Sequence, residues 1–494
     1  MELKARVLKW SAGIPVAMIN FKTAELMGIH KNDRVSIARF SKGDGQFSTI
    51  VDIVEKLVKE NEIGISSEIL EIFNLKDKQK VDVNLAESPK SLSYIRKKLD
   101  KKRLSKAEIK EIIRDIVDNS LSDPEIALFV SGMYENKMDF QETINLVEAF
   151  VESGEKISFG GKYIVDKHCI GGIPGNRTTP IVVAICAAAG LTVPKTSSKA
   201  ITSGAGTADV IGAIAKIEFS VPELKRIIKK TGAFMVWGGS LELVPADSKI
   251  IRIEKMLKID PKAQLLASIM SKKLAVGSKY ILIDIPYGKN AKVNKKEGLN
   301  LKKDFEKLGK YFKLDLRGIL TKGDEPIGNG IGPFLELVDI IKVLNPSEEG
   351  PKDLEKKSLF LAGQILEMTT KAKKGKGIEM AKAILDSGKA FEKFIQIIKA
   401  QKGNINHIEF GKFRKNILSK SNGKITEINN IKINLLARIS GCPVDNSSGL
   451  YLYHHVGDKI KKGEKLLTIY AESKPRLVEA VRYYNKEKPI KIVK

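Results

Sequence analysis

With 494 residues the chain is too long for one core of ordinary size, so three or four domains are expected. Its 43% hydrophobic content suits folded structure, and no run of about 18 apolar residues offers a transmembrane helix. The net charge of +26 attracts phosphate and nucleotides as readily as nucleic acid. The lysines are scattered, and no basic tail, zinc finger or aromatic RNA-binding motif accompanies them, which argues against nucleic acid as the partner. Three widely spaced cysteines, Cys169, Cys186 and Cys442, offer neither a zinc pattern nor a disulfide framework. The opening MELKARVLKW has no signal-like apolar stretch, so a cytoplasmic setting is expected.

Residues 1 to 86 hold an internal repeat. ELMGIHKNDRVSI (Glu25 to Ile37) parallels EIFNLKDKQKVDV (Glu71 to Val83). Each copy reads as a helix end, a polar turn and an alternating strand, so two copies predict a small pseudo-symmetric β-rich barrel. His30 falls in the first turn, as a solvated residue.

From Ser88 the pattern becomes helical. Ser105 with Glu108 three residues on forms a capping box, and Ile109, Ile112, Ile113 and Ile116 mark one apolar stripe. Ser122 opens the next helix, and DFQETINLVEAFVESG forms another.

The most informative stretch is Val165 to Asp209. VDKHC is a short strand; Gly171, Gly172 and Gly175 make a tight loop; Thr178 and Thr179 open the apolar helix IVVAICAAA, which Gly190 stops. A second strand, LTVP, leads into TSSKAITSGAGTAD, a loop of hydroxyls and glycines. Glycines let backbone N–H groups approach a ligand, and a helix start leaves N–H groups unpaired with a partial positive charge. Lys167, Arg177 and Lys199 add full charges. Either loop alone could be an ordinary connection; together they favour an anion site.

Downstream, Asp260-Pro261 reads as a helix start, with Asp260 the N-cap and Pro261 the first residue. Ser268 and Lys272, four apart, share a helix face. YILIDIPYGKNAKV is a strand followed by a loop with Lys289 and Lys292, and DEPIGNGIGP is a glycine-rich loop read as structural. Residues 334 to 400 are helical. Strands return from about 410, where turns at Gly457 and Gly463 suggest a barrel-sandwich module. His454 and His455 adjoin a strand and point to opposite faces, so they make a poor metal pair.

The motifs DKHxxGG and TSSKAITSGAGTAD resemble the thymidine/pyrimidine-nucleoside phosphorylase superfamily, in its archaeal-type AMP phosphorylase branch. The likeness runs over almost the whole chain. Nucleoside members carry DKHSTGG and a SGRGLGHTGGT-like second loop; Cys169, Ile170 and SKAITS stand in those places here. The resemblance implies a multidomain α/β protein. Its parts are a β-rich barrel-like N-terminal domain (1–86), a small all-helical domain (87–158 and 244–275), a large α/β domain (159–243 and 276–409) and a C-terminal α+β barrel-sandwich module (410–494).

It also implies phosphorolysis of AMP, with CMP and UMP as further substrates, to free base and ribose 1,5-bisphosphate. Asp260 would be the proton donor, whereas the residues alone favour a plain helix cap. Gly172, Ser198, Lys199, Ala200, Ile201, Thr202, Ser203, Thr207, Ser268 and Lys292 would bind the nucleotide, with Lys167, His168 and Thr178 near phosphate. No cofactor or metal is expected, inorganic phosphate being a co-substrate, and no membrane or nucleic-acid partner; a homodimer or higher homo-oligomer is. Three positions depart from the branch: Lys199 and Asn329 stand where arginine is usual, and Gly212 where glutamate is. A pyrimidine-nucleoside phosphorylase, a phosphoribosyltransferase and a nucleic-acid-binding protein remain alternatives. SKAITS and the N-terminal domain argue against the first, and no metal-binding carboxylate cluster supports the second.

Overall fold

A computed structural model describes the chain except residues 9, 12–14, 41–45, 201, 202, 242 and 494. It divides into two compact units, Met1–Ser153 with Val244–Ser268, and Gly154–Leu243 with Ile269–Lys494.

The first unit opens with a closed barrel. Its strands are β1 (Glu2–Val7), β2 (Val16–Asn20), β3 (Arg34–Arg39), β4 (Gln46–Val54), β5 (Glu62–Ile65) and β6 (Lys80–Leu85), in the order β1-β5-β2-β4-β3-β6. The two copies of the repeat meet: β3 and β6 pair antiparallel with Ile37 opposite Val83. Each is preceded by a short helix, Phe21–Met27 or Ser67–Phe73, ending on a left-handed residue, Gly28 or Asn74. Alternate strand residues, among them Leu3, Ala5, Val35, Ile37, Val81 and Val83, fill the interior, as the strand period of two requires.

Helices Ser91–Leu99, Lys106–Val117, Asp123–Asn136, Phe140–Glu152 and Pro245–Leu257 follow in this unit, with the start of the helix Lys262–Ala275 up to Ser268. Ser105 and Glu108 form the reciprocal capping box, and Ile109, Ile112, Ile113 and Ile116 are all buried. Asp260 is not the N-cap expected from the sequence. The helix begins at Lys262, and the Pro261 carbonyl accepts from Leu265 N, so Asp260 lies ahead of the cap, exposed to solvent. Proline keeps its carbonyl while lacking an N–H, so it can hold the cap position itself.

The second unit is built on parallel strands β7 (Val165–Cys169), β8 (Val193–Ser197), β9 (Ala233–Trp237), β10 (Tyr280–Tyr287) and β11 (Asp315–Lys322). β11-β10-β7 and β8-β9 are hydrogen-bonded, and a parallel bridge between Ile164 and Thr192 joins the two groups. The helix Thr178–Ala188 is buried along its length, which explains its unbroken apolar sequence. It packs against helices Lys352–Met368 and Lys389–Ala400.

The C-terminal part forms two small sheets with helices Asn430–Ser440 and Lys474–Glu487. The glycine-rich loop takes part: Gly330–Ile331 is a short strand opposite Leu450 and Tyr451. Among the described residues no helix is long and apolar enough to cross a membrane.

Candidate active site

The two anion-site loops leave the carboxyl ends of β7 and β8, where ligands bind in open parallel sheets. In the first, Gly171, Gly172 and Gly175 have φ of 88°, 94° and 67°, values that side chains disfavour. A Cβ on Gly172 would stand 3.1 Å from both Cβ and N of Lys292, and one on Gly175 would be 2.2 Å from the Ile327 carbonyl. The first loop therefore lies directly on the Lys292 loop. Lys292 is exposed, while Lys289 pairs loosely with Glu427 at 3.8 Å.

Lys167 points inward. Its ammonium donates to Thr178 Oγ1 at 2.7 Å and Thr179 Oγ1 at 3.3 Å, and burial lowers its pKa. Two of the expected phosphate residues, Lys167 and Thr178, thus form one bonded pair at the strand–helix junction. His168 is half-buried; burial first, then Lys273 and Lys195, hold its pKa well below the usual value, so it is neutral at pH 7. Cys169 accepts from Gly171 N and Asn176 Nδ2, and burial pushes its thiol up.

The second loop is strapped down by two side chains. Asp209 Oδ2 accepts from Ala200 N at 2.6 Å and Gly206 N at 2.7 Å. Arg177 Nη2 donates to the Ala205 carbonyl at 2.7 Å and Nη1 to Thr207 Oγ1 at 3.3 Å, while its Nε pairs with buried Glu336. Arg177 therefore shapes the loop with the charge that the sequence suggested for an anion. Ser198 is exposed, and Ser203 Oγ donates to the Ala205 carbonyl at 2.9 Å. Lys199 Nζ stands 4.1 Å over the Trp237 ring, a cation–π contact. Ile201 and Thr202 lie outside the described residues. Asn434, far along the chain, accepts from Gly204 N at 3.1 Å and donates to the Gly172 carbonyl at 3.5 Å.

A buried charge cluster went unread in the sequence. Asp166 on β7 pairs with Lys195 on β8 at 3.1 Å and with Lys273 at 2.8 Å. The available signal was a charged residue in the middle of each of two short, largely buried strands. On β10, Asp284 accepts from Thr321 Oγ1 at 2.6 Å and pairs with Lys357 at 3.1 Å. Burial works against its ionisation, but Lys357 and Lys167 outweigh it and hold its pKa low.

The departures have local roles. Asn329 N donates to Asp339 Oδ2 at 2.7 Å and its Nδ2 to Tyr451 OH at 3.4 Å. Gly212 is the exposed last residue of the helix Thr207–Gly212. Asp260 and Ser268 belong to the first unit, Ser268 on the helix Lys262–Ala275. His454 and His455 turn to different carboxylates, Asp458 and Glu325.

Paired loops at the strand ends, one opening a buried helix, suit a transferase that positions anions. Residues 92–154 and 161–307 match the helical bundle domain and the a/b domain of a glycosyl transferase family, and residues 424–491 match a pyrimidine nucleoside phosphorylase C-terminal domain. The fold is shared with anthranilate phosphoribosyltransferase from Thermus thermophilus, at a TM-score of 0.52 and 16% identity, over 63% of this chain and 99% of that one. These define a two-part glycosyl transferase with a phosphorylase-type C-terminal domain. Within that class, the chain belongs to the AMP phosphorylase family. It is 43% identical to the AMP phosphorylases of Thermococcus kodakarensis and Pyrococcus furiosus, over all of this chain and 98% of each. The identity to that of Methanococcoides burtonii is 41%, over all of this chain and 97% of the relative.

Proposed function

We propose that this chain cleaves AMP with inorganic phosphate, releasing adenine and ribose 1,5-bisphosphate, and that it accepts CMP and UMP in the same way. The observation that carries this reading is the pair of strapped glycine loops at the ends of β7 and β8, in a chain related along its full length to AMP phosphorylases.

The reaction needs two anions held in place, phosphate and the 5′-phosphate of the nucleotide, and an acid for the departing base. Gly172, residues 198–203, Thr207, Ser268 and Lys292 are assigned to the nucleotide. The helix start at Thr178, the neutral His168 and the Lys167–Thr178 pair are assigned to the phosphate side. One phosphate oxygen bonds to C1′ as the C1′–N bond breaks, and the base takes a proton from Asp260. Lys199 offers a point charge in place of an arginine fork, which suits a monodentate phosphate contact. The reading involves no cofactor, a cytoplasmic setting and a homodimer or larger homo-oligomer.

The test is phosphate-dependent base release from AMP, CMP, UMP, adenosine and thymidine, run side by side. Release from the monophosphates alone is expected. Release from nucleosides alone would move the chain to the pyrimidine-nucleoside branch.

A further inference from the structure

The helix Asn430–Ser440 brings three asparagines to the loops at the carboxyl ends of the parallel strands. Asn429, its N-cap, donates through Nδ2 to Asn290 Oδ1 at 3.1 Å, in the loop that carries Lys292. Asn430, fully buried, donates to the Gly323 carbonyl at 2.9 Å, just past β11. Asn434, one turn on and 8% exposed, accepts from Gly204 N at 3.1 Å and donates to the Gly172 carbonyl at 3.5 Å. Gly204 fits closely here: a Cβ on it would be 3.3 Å from Ala437 Cβ, on the same helix.

We propose that Asn434 is a positioning residue for the anion cradle. Its carboxamide ties the main chain of the first glycine loop to that of the second, so the C-terminal module sets their spacing. A carboxamide suits this place because it accepts and donates at once without charge. A carboxylate would keep the Gly204 bond, lose the Gly172 bond and repel phosphate. The bonds are to backbone, so neighbouring side chains can change without loosening the clamp. Asn434 touches no reacting atom; it acts through the two loops. The kinetic role rests on the phosphorylase reading above, whereas the clamp itself does not.

The experiment compares wild type, Asn434→Leu and Asn434→Asp by calorimetric titration with AMP and with inorganic phosphate, by base release, and by amide hydrogen exchange. In Asn434→Leu, affinity for both ligands should fall about tenfold, the worth of one or two hydrogen bonds. Exchange at Gly204 should quicken while β7 and β8 stay protected. In Asn434→Asp the defect should shrink as the pH is lowered and the carboxyl takes a proton, because the acid can donate again. Unchanged affinity and exchange in Asn434→Leu would overturn the proposal. So would an Asn434→Asp defect equal at low and neutral pH, which marks lost packing alone. If the wild type releases no base, the phosphorylase reading fails, and exchange at Gly204 still decides the clamp.

Discussion

Asp166 and Lys273 form an ion pair of 2.8 Å in which neither side chain is exposed, and Lys195 closes on the other carboxylate oxygen at 3.1 Å. The pair ties β7 to the helix Lys262–Ala275, and Lys195 ties β7 to β8.

Removing the shared partner leaves two buried ammonium groups facing each other. Asp166→Ala should therefore cost about 3–5 kcal/mol of stability, as breaking a buried pair does. Lys273→Met should cost less, because Lys195 still neutralises Asp166. Urea denaturation of the two variants ranks them, and the reverse order would contradict the shared-partner account.

Burial pushes Lys273 from 10.5 down to about 7, against the pull of Asp166. The folded lysine thus binds its proton less tightly than the unfolded one. Stability should rise with pH from about 7 to about 10.5, where the unfolded chain holds the extra proton, and this gain should be lost as pH falls through about 7. Lys195 continues to pair with Asp166 when Lys273 is neutral. The difference in melting temperature between wild type and Lys273→Met should grow across that window; a flat difference would contradict the shift.

Gly172 combines a φ of 94° with a 3.1 Å approach to Lys292. Alanine there meets backbone strain of about 1–3 kcal/mol and must push the Lys292 loop away. Gly172→Ala should raise KM for AMP at least tenfold and lower the melting temperature by no more than a few degrees. An unchanged KM would separate Gly172 from the nucleotide.

Asp260 stands one residue ahead of the proline whose carbonyl caps its helix, so replacing it leaves the Pro261–Leu265 bond in place. Asp260→Asn should lower kcat by about 10²- to 10⁴-fold, the usual worth of a general acid, while KM for AMP changes little. Full activity in this variant would reject the role.

Local pattern carried the barrel and the helices. The repeat announced two like strands, and β3 and β6 pair with each other. The apolar run after Thr178 announced a helix, and the structure buries it along its length. Direction and distance were another matter. Sequence gives the charge of Lys167 and Arg177 but not where it points: Lys167 turns to Thr178 because a buried strand offers it no route outward, and Arg177, at the helix start, turns to Glu336 and the second loop. Asn434 lies 262 positions from Gly172 and 230 from Gly204, contacts that no local periodicity encodes. Asp260 shifted by one residue because Pro261 serves as the cap itself.

The most direct measurement follows phosphorus and base together, with orthophosphate and either AMP or adenosine as the only reactants. The account predicts adenine and ribose 1,5-bisphosphate in equal amounts, with no release when phosphate is omitted. Ribose 5-phosphate formed without added phosphate would mean hydrolysis, and turnover of adenosine in preference to AMP would mean that the second loop holds no 5′-phosphate; either result would contradict it.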